Sequence, residues 1–376
     1  MFFIMQQIEV RGMPAEIALL PIVESAFDPF AYSHGRASGV WQFIPSTGNI
    51  YGLKQDWWFD GRRDIRRSTI GALKFLEGLS REFKGDWMLA LAAYNSGAGT
   101  VRKAIRKNKK LGKPVDFWSL ALPKETKAYV PKLLALAKLV ATPDKYSVFF
   151  PRVENKPYFA VIETGSQMDL SQAAQMADIN LEEIYKLNPQ YNQWATSPNG
   201  PHEILVPIEK QDLIRKNLKK LPASQRIKWQ RYSVKSGDSL ISIAKRFHTT
   251  PEALKQVNPI QGNLVRINDK LLIPTAFNHL SSYTYSANNR LNKKQKNTRG
   301  AKGSQKISHT VKNGDSFWSL AKKHNVSTRS IAKWNGMAPK DPIKPGQKLV
   351  IWSKSTFNKR DREVIRKIHY RVRNGD

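Results

Sequence analysis

The chain has 376 residues, enough for two or three domains, and its 40% apolar content supports ordinary globular cores. It has no cysteine, which excludes disulfides, thiolate metal sites and a lipid-bearing cysteine. A formal charge of +32 predicts attraction to a polyanion, whether nucleic acid, a membrane surface or an anionic cell wall. No apolar run is long enough to span a membrane, and Met1 to Met5 is too short and too uncharged for an export signal.

Residues 1 to about 150 read as all-helical. Ile8 to Glu24 has helical spacing of apolar residues, with Pro14 near a helix start and Pro21 as a kink. Ile17, Leu20, Ile22 and Val23 precede Glu24, and Ala26 and Phe27 follow it. A carboxylate in such an apolar wall is costly to ionise, so its pKa should rise towards neutrality, as general-acid cleavage of a glycosidic bond requires. Ser68 can cap a helix through Ile70, Leu73, Leu76 and Leu79. Trp87 to Tyr94 predicts a short buried helix, and Thr126 to Val140 a last amphipathic one.

The second half carries a repeat. One copy runs from Tyr232 through Gly237-Asp238-Ser239-Leu240, Leu254 and Asn258-Pro259 to Leu271-Leu272-Ile273-Pro274. Another runs from His309 through Gly314-Asp315-Ser316-Phe317, Ile331 and Asn335-Gly336 to Leu349-Val350-Ile351. Each predicts strand, tight turn, two helices and strand, with the Gly-Asp pair turning the chain and capping the first helix. A divergent copy, Tyr158 to Pro207, keeps the Leu170 to Asn188 separation and lacks the Gly-Asp-Ser element. Ala276 to Ile307 holds Arg290, Lys293, Lys294, Lys296, Arg299, Lys302 and Lys306 with no acid, and reads as a basic linker. Tyr370 to Asp376 repeats the opening of a module and then stops, while Met1 to Ile4 enters a helix uncapped. The expectation is a chain truncated at both ends. The divisions expected are 1–150, 158–208, 231–275, the linker 276–307, 308–352, and 353–376 as a linker and the start of a further module.

Four motifs in order carry a resemblance: Glu24-Ser25, Ser38-Gly39-Val40-Trp41-Gln42-Phe43, Ala92-Ala93-Tyr94-Asn95-Ser96-Gly97 and Glu125-Thr126-Lys127-Ala128-Tyr129-Val130. Over about residues 8 to 150 the chain resembles the goose-lysozyme-like lytic transglycosylases, and its repeats resemble LysM modules, which bind N-acetylglucosamine-containing glycans. The implied fold class is multidomain α+β: an all-α lysozyme-like catalytic domain followed by small βααβ LysM modules on linkers. The family more often has Leu-Met where this chain has Val40-Trp41.

Most glycosidases use two carboxylates. The close second acid here is Asp28, but Phe27-Asp28-Pro29 reads as a helix exit, which assigns Asp28 to a turn. The resemblance implies an intramolecular answer. Glu24 protonates the oxygen between N-acetylmuramic acid (MurNAc) and N-acetylglucosamine (GlcNAc), then acts as base on the muramyl C6 hydroxyl, which closes a 1,6-anhydro ring without water. Ser38, Gln42, Tyr94 and Asn95 would position the sugar and its acetamido group, and Tyr129 would place a hydroxyl near Glu24. Glu125 would orient the cleft or cap a helix. Trp57, Trp58, Trp87 and Trp118 read as core or rim aromatics.

In the modules, the resemblance nominates Gly237, Asp238, Ser239 and Leu240 with Asn258, Pro259 and Ile260, and Gly314, Asp315, Ser316 and Phe317 with Asn335, Gly336 and Met337. Asp238 and Asp315 are read first as helix caps. No cofactor and no metal is expected. The expected partner is the MurNAc-GlcNAc strand of peptidoglycan, and nucleic acid is set aside because no zinc, homeodomain or RNA-binding signature occurs. The resemblance implies a lyase in the bacterial envelope, at the periplasm or outer membrane, with no membrane anchor encoded in this chain. The alternatives are a non-catalytic wall-binding protein and a water-using muramidase.

Overall fold

A computed structural model describes residues 1–151 and 153–354, so the repeat opening at Tyr370 to Asp376 lies outside the described residues. The chain forms two compact units, Met1–Asn292 and the part from Lys293 onward.

The first unit begins with helices α1 (Phe2–Val10), α2 (Leu20–Ser25), α3 (Pro45–Ile50), α4 (Ile65–Glu82), α5 (Trp87–Ser96), α6 (Ala98–Lys110) and α7 (Lys124–Ala141). The helix expected over Ile8 to Glu24 is broken. Gly12 is left-handed, Pro14 cannot continue a helix, and a 3-10 turn over Ala15–Leu19 leads into α2. Pro21 does not kink α2; it sits in the first turn, where a missing N–H costs nothing. Helix α4 starts at Asp64, whose carboxylate accepts the Arg66 and Arg67 amides at 3.0 and 2.8 Å, while Ser68 is buried within the helix. Helix α5 packs Leu89 to Ala93 into the centre of the helical core, with Leu20, Trp41, Leu73, Leu76 and Val130 around it.

Three βααβ modules follow. The first has β1 (Phe159–Glu163), α8 (Leu170–Ala177), α9 (Leu181–Leu187) and β2 (Glu203–Pro207). After α10 (Gln211–Lys220) comes the second, with β3 (Lys228–Ser233), α11 (Leu240–Arg246), α12 (Pro251–Val257) and β4 (Lys270–Thr275). Helix α13 (Ala287–Asn297) precedes the third, with β5 (Ser304–Thr310), α14 (Phe317–His324), α15 (Thr328–Trp334) and β6 (Lys348–Lys354). Each strand pair is antiparallel, with Val161 opposite Leu205, Tyr232 opposite Leu271 and Ile307 opposite Ile351.

One asparagine makes the same three bonds in every module. Asn188 Nδ2 donates to the Ile184 and Leu205 carbonyls at 2.9 and 2.8 Å, and its Oδ1 accepts the Leu205 amide at 2.7 Å. Asn258 ties Leu254 to Leu272, and Asn335 ties Ile331 to Val350, in the same way. The side chain fastens the end of the second helix to the last strand. Its recurrence identifies the divergent copy as the same fold.

The stretch 276–307 corrects the linker expectation. It contains α13 and the start of β5, and Tyr283 is fully buried. Its hydroxyl donates to both oxygens of Asp169, at 3.0 and 2.8 Å. The basic composition hid Leu280, Tyr283 and Tyr285, whose apolar surface favours packing over solvation.

Candidate active site

Glu24 lies at the last turn of α2. The next residues after Ser25, Ala26 and Phe27, are both left-handed, with φ of 51° and 59°. Two such non-glycine residues in succession turn the chain sharply away and store backbone strain beside the carboxylate. Ser25 Oγ lies 3.1 Å from both the Pro21 and Val40 carbonyls, tying α2 to the loop 38–42. That loop is held at several points. Tyr94 donates its hydroxyl to the Trp41 carbonyl at 2.8 Å, and the fully buried Trp41 donates Nε1 to Thr69 Oγ1 at 2.9 Å. Gly39 has φ +78°, and a Cβ there would stand 2.2 Å from the Arg62 carbonyl oxygen, so the turn admits glycine alone.

Burial raises the Glu24 carboxyl to about 7; the hydrogen bond from the Tyr129 hydroxyl opposes the rise, and the negative charge of Glu125 adds to it. Burial, with the neighbouring Glu24, pushes the Tyr94 and Tyr129 hydroxyls well above their usual range, so both remain donors at neutral pH. Asn95 Oδ1 accepts from Thr126 Oγ1 at 2.8 Å, joining the end of α5 to the start of α7. The arrangement can hold a proton on a carboxyl at neutral pH and keep a phenol donor on the carboxylate after that proton leaves.

Glu24, Tyr94, Tyr129 and Glu125 thus fall in one neighbourhood. Glu125 caps nothing; it is exposed in the first turn of α7, where its charge suits the helix dipole. Asp28 accepts the Phe30 amide at 2.9 Å in a turn. Ser38 departs from the expectation of a sugar-positioning residue. It is fully buried, and its Oγ accepts from Arg63 Nε at 3.0 Å, so it belongs to the scaffold. Gln42 spends its amide donor on the Gly39 carbonyl at 2.7 Å. Trp58 is core and Trp118 is exposed, with Trp57 and Trp87 between. Sequence reasoning missed Ser25, Thr69, Thr126 and the buried Asp60-Arg62 pair at 2.8 Å. Ser25 and Thr126 were visible inside the Glu24-Ser25 and Glu125 to Val130 motifs; Thr69, Asp60 and Arg62 carry no local signal. Among the described residues no group of three His, Asp or Glu side chains is placed to hold a metal.

The module surfaces also need correction. Ser239 and Ser316, not the aspartates before them, cap α11 and α14, each in a reciprocal box with the serine three residues on. Asp238 instead closes the turn, accepting from the Tyr232 hydroxyl at 2.6 Å and the Lys235 amide at 2.9 Å, and these bonds with Arg246 hold it at about 2. Asp315 does the same with the Lys312 amide and His309. Leu240 and Phe317 are core, and Asn258 and Asn335 are buried in the bridges above, so their side chains are withdrawn from any ligand. Gly237, Ser239, Pro259, Gly314, Ser316 and Gly336 are exposed, and Ile260 and Met337 are half-buried.

Residues 1–117 match the Transglycosylase SLT domain family, 158–223 the family described as Lytic transglycosylase MltD, LysM-like domain, and 232–274 and 309–352 the LysM domain family. The chain is 37% identical over 369 residues to membrane-bound lytic murein transglycosylase D of Escherichia coli K12, covering 94% of this chain and 76% of that one. It belongs to the membrane-bound lytic murein transglycosylase D family. An autolysin of Enterococcus faecalis is 30% identical over 120 residues, 32% of this chain and 15% of that one. Lytic transglycosylase Slt of Pseudomonas aeruginosa aligns over 39% of this chain and 24% of its own at 21% identity with a TM-score of 0.30, too low for a structural argument. As a member of the transglycosylase D family the chain is a lytic transglycosylase, a lyase of the cell envelope that carries LysM domains. Among the described residues no helix is long and apolar enough to cross a membrane.

Proposed function

We propose that Glu24 serves as both acid and base in cleavage of the β-1,4 bond between MurNAc and GlcNAc of peptidoglycan, leaving 1,6-anhydro-MurNAc ends. The observation that carries this reading is a buried carboxyl held at about 7 with a phenol donor on it, while Asp28 is spent in a turn and Glu125 is exposed to solvent. Protonated Glu24 gives its proton to the bridging oxygen as the bond from muramyl C1 breaks. The resulting carboxylate, steadied by Tyr129, takes the proton of the C6 hydroxyl as O6 bonds to C1. Glu24 ends as it began, and no water is consumed. The attacking hydroxyl is already on the ring, so its effective concentration is high. Tyr94, Asn95 and Gln42 line the sugar-holding wall. The exposed turns at Gly237 to Ser239 with Pro259 and Ile260, and at Gly314 to Ser316 with Gly336 and Met337, hold the enzyme on glycan strands. By family the setting is the periplasmic face of the envelope or its outer membrane. The test is the mass of the products from digested murein: anhydro-muramyl ends support the reading, and reducing muramyl ends replace it with a water-using muramidase.

A further inference from the structure

The module at 158–208 differs from the other two in what lies against its first turn. The segment after its second helix is laid across that turn. The Leu170 amide donates to the Trp194 carbonyl at 3.0 Å, the Thr196 amide to Met168 at 2.9 Å, and the Met168 amide to Thr196 Oγ1 at 2.9 Å. Trp194, Ala195 and Thr196 are buried there. Among the described residues no backbone hydrogen bond joins the corresponding segments 237–240 and 258–266, or 314–317 and 335–343. The surface that stays open in the other modules is closed in this one by its own chain.

The same segment grips the catalytic domain. The Asp60 amide donates to the Gln190 carbonyl and the Asn192 amide to Trp58, both at 2.8 Å, and Phe59 stacks edge-on against Tyr191. Asn192 Oδ1 accepts from Arg63 Nη1 at 2.9 Å and from Arg290 Nη2 at 3.4 Å. Arg290 lies over the Phe30 ring at 4.8 Å, and Tyr285 stacks on Phe30 as well. Arg63 reaches in two directions, because its Nε donates to Ser38 Oγ. Ser38 opens the loop whose Val40 and Trp41 carbonyls are held by Ser25 and Tyr94, the neighbours of Glu24.

We propose that this module acts on the reaction in cis rather than on glycan: Asn192, through Arg63 and Ser38, holds the 38–42 loop that walls Glu24. Arg63 and Asn192 are positioning residues. Removing the Asn192 oxygen takes away the acceptor that Arg63 and Arg290 share, leaving Arg63 to Asp60 and Ser38 and Arg290 to the Tyr285 carbonyl. The inference rests on Glu24 as the acid.

The test uses the full chain on soluble uncrosslinked glycan strands, with kcat, KM, the pH profile of kcat and Tm read together. Asn192→Ala should lower kcat about tenfold with KM nearly unchanged, since a loosened wall misplaces the acid. Its alkaline limb should move down by roughly half a unit as water reaches the carboxyl, the groups around it being Tyr129, Tyr94 and Glu125. Asn192→Asp restores an acceptor and should recover most of kcat. Arg63→Lys keeps the charge beside Asp60 but cannot span both partners, so it should behave as Asn192→Ala does. A folded Asn192→Ala or Arg63→Lys enzyme with wild-type kcat and limb overturns the proposal, as does failure of Asn192→Asp to recover kcat. Retained turnover in Glu24→Gln would overturn the catalytic reading by itself, leaving the two Asn192 variants to decide the support role.

Discussion

The modules at 158–208 and 308–352 share one core and use their first turns in opposite ways. Both fasten the second helix to the last strand with a buried asparagine, Asn188 or Asn335. At the cap of the first helix the third module has an exposed serine, Ser316, satisfied by Ser319. The first has a buried carboxylate, Asp169, which caps α8 and also accepts the Phe277 amide at 2.9 Å and the Tyr283 hydroxyl. The difference teaches that the βααβ core fixes the shape while the turn decides whether the surface meets a ligand or the rest of the chain.

The strongest challenge to that division is Glu24→Gln. Turnover should fall by roughly 10²–10⁴-fold, the worth of a general acid, while retention on insoluble murein through the open modules persists. Loss of retention would mean that the catalytic domain holds the wall. Next come the asparagines. Asn188→Ala and Asn335→Ala each strip the three bridging hydrogen bonds, and one more from a glutamine, from a buried site, at a cost of about 2–4 kcal/mol. Turnover should suffer with Asn188→Ala, and murein pull-down with Asn335→Ala; the reverse pattern would exchange the roles of the two modules.

A smaller effect separates the pH responses. Glu24 titrates at about 7 in the folded chain against an ordinary 4.5. The folded state therefore holds the extra proton, and the stability this gives is full below about 4.5 and lost as pH rises through about 7. Glu24→Gln should melt later than wild type at pH 8, by on the order of 2–3 kcal/mol in unfolding free energy, and show little difference at pH 4. The second unit should show no such change. Ser316→Ala gives the smallest effect, about 1 kcal/mol from a lost cap, confined to the third module's melting.

The fold was legible where the sequence carried local signals. Equal spacing from Leu170, Leu240 and Phe317 to the asparagines located all three modules, and the Glu24-Ser25 motif located the buried carboxyl. Misreadings came where two residues could do one job. Asp64 outcompeted Ser68 as a cap because a carboxylate accepts two amides at once, and the serines rather than the aspartates capped the module helices because the aspartates are committed to closing the turns. The link from Asn192 through Arg63 to Ser38 was out of reach, since it joins residues far apart with no periodicity or spacing to announce it.

The buried asparagine has a further consequence. Modules of roughly 45 residues are too small for their apolar cores to be secure alone, and many domains of that size are stapled by disulfides or metals. Here the staple is an amide with three hydrogen bonds, in a chain without a single cysteine. Such a fastening needs no oxidant to form and no reductant can open it. Folding of these modules should thus be indifferent to the redox state of their surroundings.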